Sequence, residues 1–177
     1  PPFEAEAFAF NGTTLQGQPQ QPPRWERVLG SVNRSMGEAL GQLYVAQYFP
    51  PESKQRAEEL VTNIRNALRA RIQNLSWMSE ATKQRALDKW QKFLPKVGYP
   101  DHWRDWAGLT ITPDHYYANV QAAAKFNYEY NVQKIGKPTN RLDWGMTRPT
   151  VNADYSPSEN TINFPAAILQ PPFFYAK

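Results

Sequence analysis

The chain has 177 residues, enough for one compact domain or parts of two, with 41% hydrophobic and 20% charged residues. No apolar run is long enough to span a bilayer, and the absence of cysteine removes disulfides, thiolate nucleophiles and thiolate metal sites. The net charge of +4 raises the question of nucleic acid. However, bases such as Lys83, Arg85 and Lys89 are interleaved with acids such as Glu80 and Asp88, the pattern of a solvated helix face.

The N-terminal run Pro1-Pro2-Phe3-Glu4 has neither the basic nor the apolar region of a signal peptide. Phe3 to Leu15 alternates loosely around Phe8 and Phe10 and meets Asn11-Gly12, which predicts an extended segment closed by a turn. Gln16 to Pro23 is a polar, Pro-rich connection. From Arg24 the spacing of Val32, Met36, Leu40, Leu43 and Gln47 predicts a helix that stops at Pro50-Pro51. A second helix is expected from Ser53, with the stripe Leu60, Ile64, Leu68, Ile72 and Leu75 facing the core. A third is capped by Ser79 and carries Leu87, Trp90 and Leu94 inward until Pro95 and Gly98 end it.

Gly98 to Gly108 reads as a loop or short strand, and a domain boundary is expected near Leu109 to Thr112. Thr112-Pro113-Asp114 predicts the start of a fourth helix, running through Val120 and Ala124 to Gly136 and Pro138. The grammar then changes. Trp144 to Tyr155 is extended, Ser156 to Asn160 is turn-like and Thr161 to Phe164 alternates, together a β-hairpin in which Pro149 belongs on an edge strand. The fold class expected is α+β and mainly α-helical.

No catalytic centre emerges from these residues alone. His102 and His115 lack helical metal-ligand spacing and fall to surface or packing roles, so no complete zinc site can be assembled. There is no nucleophile-elbow serine and no phosphate-cradling glycine loop. The Glu58-Glu59 pair reads as solvated. The hairpin is more informative, because an edge strand offers unpaired backbone groups to which an extended peptide can add. Asn152 has both donor and acceptor for a peptide group, and the small Ala153 beside it allows close approach. The other reading, that Asn152 satisfies its own backbone beside a turn, stays equally open.

Several runs carry a resemblance to a known family. They are Trp144-Gly145-Met146-Thr147, Pro149-Thr150-Val151-Asn152-Ala153 with Tyr155, and Asn160 to Ala166 followed by Ile168-Leu169-Gln170-Pro171-Pro172-Phe173-Phe174. Upstream, Val32 to Ala39, Gly41 to Val45 and Tyr48-Phe49-Pro50-Pro51 belong to the same pattern. Together they resemble the neprilysin-like zinc metallopeptidases, which include endothelin-converting enzyme and bacterial oligoendopeptidase O. The likeness covers nearly the whole chain.

The resemblance implies that Asn152 binds the substrate backbone through its side chain and Ala153 through its main chain. It implies that Phe173 helps line the apolar pocket for the residue after the scissile bond, so that cleavage falls on the amino side of bulky apolar residues. The family's zinc ligands and general base lie in an H-E-x-x-H and a later E-x-x-x-D, which this chain does not reach. Zinc is therefore expected only in the complete enzyme, and the chain alone is expected to be inactive. By the same resemblance, residues 1–110 are part of a helical lid domain. Residues 111–177 are the part of a gluzincin-type catalytic domain that holds a helix and the substrate-binding edge hairpin. The expected partners are an oligopeptide substrate and the remainder of the catalytic domain, which a second chain could supply. The family's habit favours a periplasmic or secreted protein. A non-catalytic peptide-binding or scaffold module of the same fold is the alternative.

Overall fold

A computed structural model describes residues 2–176. The elements in order are α1 (Pro2–Ala7), a π-helical segment (Phe8–Thr14), α2 (Arg24–Tyr48), α3 (Pro51–Gln73), α4 (Glu80–Gln91), β1 (Leu94–Gly98), α5 (Tyr116–Val132), β2 (Asp154–Ser156) and β3 (Thr161–Pro165). The fold is α+β and mainly helical, as expected. Two compact units divide at Pro1–Arg34 and Ser35–Lys177.

In the first unit, the stretch expected to be extended is helical. Phe8 and Phe10 turn over a π-helical segment in which the Phe8 ring occupies the space a side chain at Gly12 would need, 2.4 Å from a Cβ built there. The glycine permits the tight coil that the alternation disguised. Arg27 Nη1 donates to Glu4 Oε1 in the same unit.

In the second unit, the helix that ends at Tyr48 packs by a row other than the apolar stripe read from its sequence. Gly37, Gly41 and Val45 are its buried positions, a row that Phe49 continues just past its end, whereas Leu43 is 71% exposed. Rows four apart form a ridge on a helix, and glycine in such a row lets a neighbour approach closely. α3 begins two residues earlier than Ser53: Pro50 is the N-cap and Pro51 occupies the first helical position, where no N–H is missed. Its stripe at Leu60, Ile64 and Leu68 is also exposed, and the buried residue is Ala57. α4 is capped as expected, with the Ser79 hydroxyl accepting the Thr82 N–H at 3.3 Å. Trp90 of α4 donates its indole N–H to the Arg65 carbonyl at 2.8 Å, while the Arg65 guanidinium covers the ring.

The residues expected to end that helix, Pro95 and Gly98, instead lie in β1. This strand pairs in parallel with β3, Leu94 opposite Thr161 and Gly98 opposite Pro165. α5 starts at Tyr116 rather than Thr112 because the Asn119 amide brackets Thr112. It donates to the Thr112 carbonyl at 2.6 Å and accepts the Thr112 N–H at 3.0 Å, which holds that residue off the helix. The core beside the sheet is formed by Val45, Phe49 and Ala166, with Tyr44, Tyr99, Trp103 and Leu169 packed around it. Among the described residues, no helix is long and apolar enough to cross a membrane.

Candidate functional site

The strand order is β1-β3-β2, so β2 is an outer strand, bonded only to β3 among the described residues. It runs antiparallel, with Asp154 opposite Asn163 and Ser156 opposite Thr161. The turn between them is fastened from behind. Asn160 takes a left-handed backbone (φ 53), which asparagine tolerates. Its side chain accepts the Tyr155 hydroxyl at 3.0 Å and donates to the Lys89 carbonyl at 2.8 Å. Arg141 donates from Nε to the Glu159 carbonyl at 2.7 Å and from Nη2 to the Lys92 carbonyl at 2.6 Å. The hairpin is thus held against the end of α4 while its outer side faces solvent.

Asn152 and Ala153 lie immediately before β2, both exposed and outside the ladder. Asn152 Oδ1 accepts the Ala153 N–H at 2.8 Å, so the side chain occupies the main-chain donor of its neighbour. Phe173 lies in the turn after β3, is 68% exposed, and bonds through its N–H to the Gln170 carbonyl at 2.9 Å. No hydrogen bond joins Phe173 to the Asn152-Ala153 pair. The extended run is also shorter than expected. Pro149 lies in a turn in which the Thr150 N–H donates to the Thr147 carbonyl at 3.1 Å, not on a strand.

Behind this edge lies a charged pair that the sequence motifs pass over. Arg148 is fully buried, and its Nη2 donates to Glu38 Oε1 on α2 at 2.8 Å and to the Met146 carbonyl. The guanidinium carbon is 4.0 Å from the Trp144 ring centroid. Burial raises the Glu38 carboxyl above its ordinary 4.5 despite Arg148, and burial lowers Arg148 to about 10 despite Glu38. Glu38 also borders a cavity of about 990 Å³ lined in part by Lys96, His102, Trp103, Arg104 and Trp144. Arg104 in this cavity is stacked with Trp106, Phe126 and Tyr130 and donates to Asn127 Oδ1 at 2.7 Å.

Residues 1–100 match the family model described as "Peptidase family M13". The chain belongs to this family. It is 38% identical over 180 residues to neprilysin-3 of Drosophila melanogaster, covering 98% of this chain and 23% of that protein. It is 35% identical over 159 residues to human endothelin-converting enzyme 1, covering 86% of this chain and 21% of that protein. Among solved structures, it is similar to the open state of the Mycobacterium tuberculosis zinc metalloprotease ZMP1, with a TM-score of 0.87 and 48% identity over 98% of this chain and 27% of that one. It is also similar to PEPO from Lactobacillus rhamnosis, with a TM-score of 0.81 and 31% identity over 93% of this chain and 26% of that one. The chain spans about a quarter of the length of these M13 relatives.

Membership of M13 brings zinc into consideration for the whole protein. Among the described residues, no three or more His, Cys, Asp or Glu come together as a metal-holding group. His115 sits at the N-cap of α5, with its Nδ1 3.4 Å from the Thr112 hydroxyl, and His102 lies in the loop after β1. These residues do not fit a zinc site.

Proposed function

We propose that this chain is the portion of an M13 zinc metalloendopeptidase that holds the substrate backbone at a sheet edge and contributes part of the lid over the cleft. The observation that carries this reading is the place of β2 on the outside of the sheet, with exposed Asn152 and Ala153 leading into it. An oligopeptide adds alongside Val151 to Tyr155. The Asn152 amide turns from the Ala153 N–H to the guest's peptide group, which frees that N–H for the guest as well.

Phe173, exposed on the turn after β3, forms part of the wall for the side chain after the scissile bond. Burial against it favours a bulky apolar residue. Zinc and its ligands come from polypeptide outside this chain, so the chain alone does not hydrolyse peptides. Residues 1–110 serve as the lid portion and residues 111–177 as the catalytic portion, with β1 bonding across that division to β3.

The test is peptide hydrolysis by the full-length protein with and without a chelator, in parent and Asn152→Ala forms. Chelator-sensitive hydrolysis that Asn152→Ala weakens, with zinc content unchanged, is the expected result. A full-length protein that binds peptides without cutting them would instead be a peptide-binding module of the same fold.

A further inference from the structure

Segment 148–154 is pinned at both ends and free in the middle. At one end, Arg148 lies across α2 so closely that a Cβ built on Gly41 would be 3.0 Å from its Cγ and 3.2 Å from its Cβ. Its guanidinium is clasped by Glu38, the Met146 carbonyl and the Trp144 ring. Its own carbonyl accepts the Ala167 N–H at 3.1 Å, just beyond β3. One residue therefore ties the approach to the edge to α2 by its side chain and to the exit of β3 by its main chain. At the other end, Asp154 enters the ladder opposite Asn163. Between them, Val151, Asn152 and Ala153 are exposed and have no strand partner.

The pair is poorly suited to a purely stabilising role. Both partners are shifted toward their neutral forms although each lies beside its opposite charge, so the loss of water outweighs their attraction. Two more Arg148 nitrogens, Nε and Nη1, are buried without a partner in this structure. Buried ion pairs of this kind are best attested where they fix a register. Here the register is that of a site whose geometry must be right to within a fraction of an ångström.

We propose that Arg148, clasped by Glu38, is a positioning residue for peptide binding: it fixes where Asn152 and Ala153 stand at the sheet edge without touching the guest. The proposal rests on the reading of that edge as the substrate strand. It acts through the turn at 147–150, whose Thr150 N–H bonds back to the Thr147 carbonyl.

A double-mutant cycle in the full-length protein tests it, with kcat/KM measured on an oligopeptide carrying a central phenylalanine. Asn152→Ala is expected to lower kcat/KM by about tenfold in the parent. In an Arg148→Met background, where the amide is already displaced, the same change is expected to cost less than about threefold. Equal factors in the two backgrounds would overturn the positioning role and leave Arg148 as a packing residue. Glu38→Gln keeps the side-chain shape and serves as the second background if Arg148→Met does not fold; the factor must shrink there too, and an unchanged one overturns the proposal. An Asn152→Ala that leaves hydrolysis unchanged in the parent would remove the substrate-edge reading itself, a different outcome from equal but large factors.

Discussion

The sheet has two outer strands, and they are finished in opposite ways. β1 is covered: Lys96 and Val97 are each 6% exposed, Phe49 packs onto Gly98, and Pro95 and Lys96 are residues that blunt an edge. β2 is bare, with Asp154 and Tyr155 exposed and the three residues before it unpaired. Of the two strands that flank β3, β2 is the more exposed to an incoming strand. On the proposed function, the buried flank carries stability and the open flank recognition, so changes on the two should fail differently.

The largest effects should come from the buried flank. Phe49 is 1% exposed and stands at the centre of the core beside Ala166 and Tyr99. Phe49→Ala is expected to destabilise by about 3–5 kcal/mol, read as a lowered urea midpoint of the full-length protein. Gly98→Ala follows. Gly98 has φ +73, and a Cβ there would meet Phe49 Cε1 at 2.6 Å. The left-handed backbone costs an alanine about 1–2 kcal/mol, and crowding of the ring adds about 1–3 kcal/mol. If both substitutions left the midpoint unchanged while altering peptide affinity, the division of labour between the flanks would be wrong.

On the open flank the expected signature is reversed. Asn152→Ala removes an exposed side chain that bonds to the next residue, so unfolding should shift by less than about 0.5 kcal/mol. Peptide binding should weaken by about 1–3 kcal/mol, measured calorimetrically with an oligopeptide on the full-length protein. A loss of stability comparable to the loss of binding would mean that Asn152 holds the hairpin rather than the guest.

Much of this was legible in the sequence where interactions are local. Pro50-Pro51 marked the break between α2 and α3, Ser79 marked the α4 cap, and the alternation from Thr161 marked β3. The motif residues along α2 and around Asn152 resembled the neprilysin-like metallopeptidases, and the match of residues 1–100 to the M13 family model agrees with that resemblance. What escaped was non-local. β1 has no alternation of its own and exists because β3 arrives beside it in parallel, long after it in the chain. Arg148 and Glu38 are 110 residues apart, and neither has a neighbour in sequence that announces the other. The stripe on α3 misled for a related reason: periodicity shows which face is apolar, but Leu60, Ile64 and Leu68 stay 47%, 60% and 49% exposed here.

The smallest expected effect concerns the loop that closes the buried flank. Lys54 donates to the Tyr99 carbonyl at 3.0 Å and to Asp101 at 2.8 Å, and it sits 4.4 Å from the Tyr99 ring centroid. The hydrogen bond from Lys54, with its charge, holds the Asp101 carboxyl below its ordinary 3.8. A depressed carboxyl contributes stability that is present above 3.8 and lost as pH falls through its lower folded value. The Asp101 side chain is 87% exposed, so solvent screens the pair, and Asp101→Asn should cost no more than about 1 kcal/mol at neutral pH. The difference between parent and variant should vanish in acid and shrink in high salt. A cost that instead persisted in strong acid, or in molar salt, would locate the role of Asp101 in loop geometry rather than charge, and the covering of β1 would then depend on backbone shape more than on Lys54.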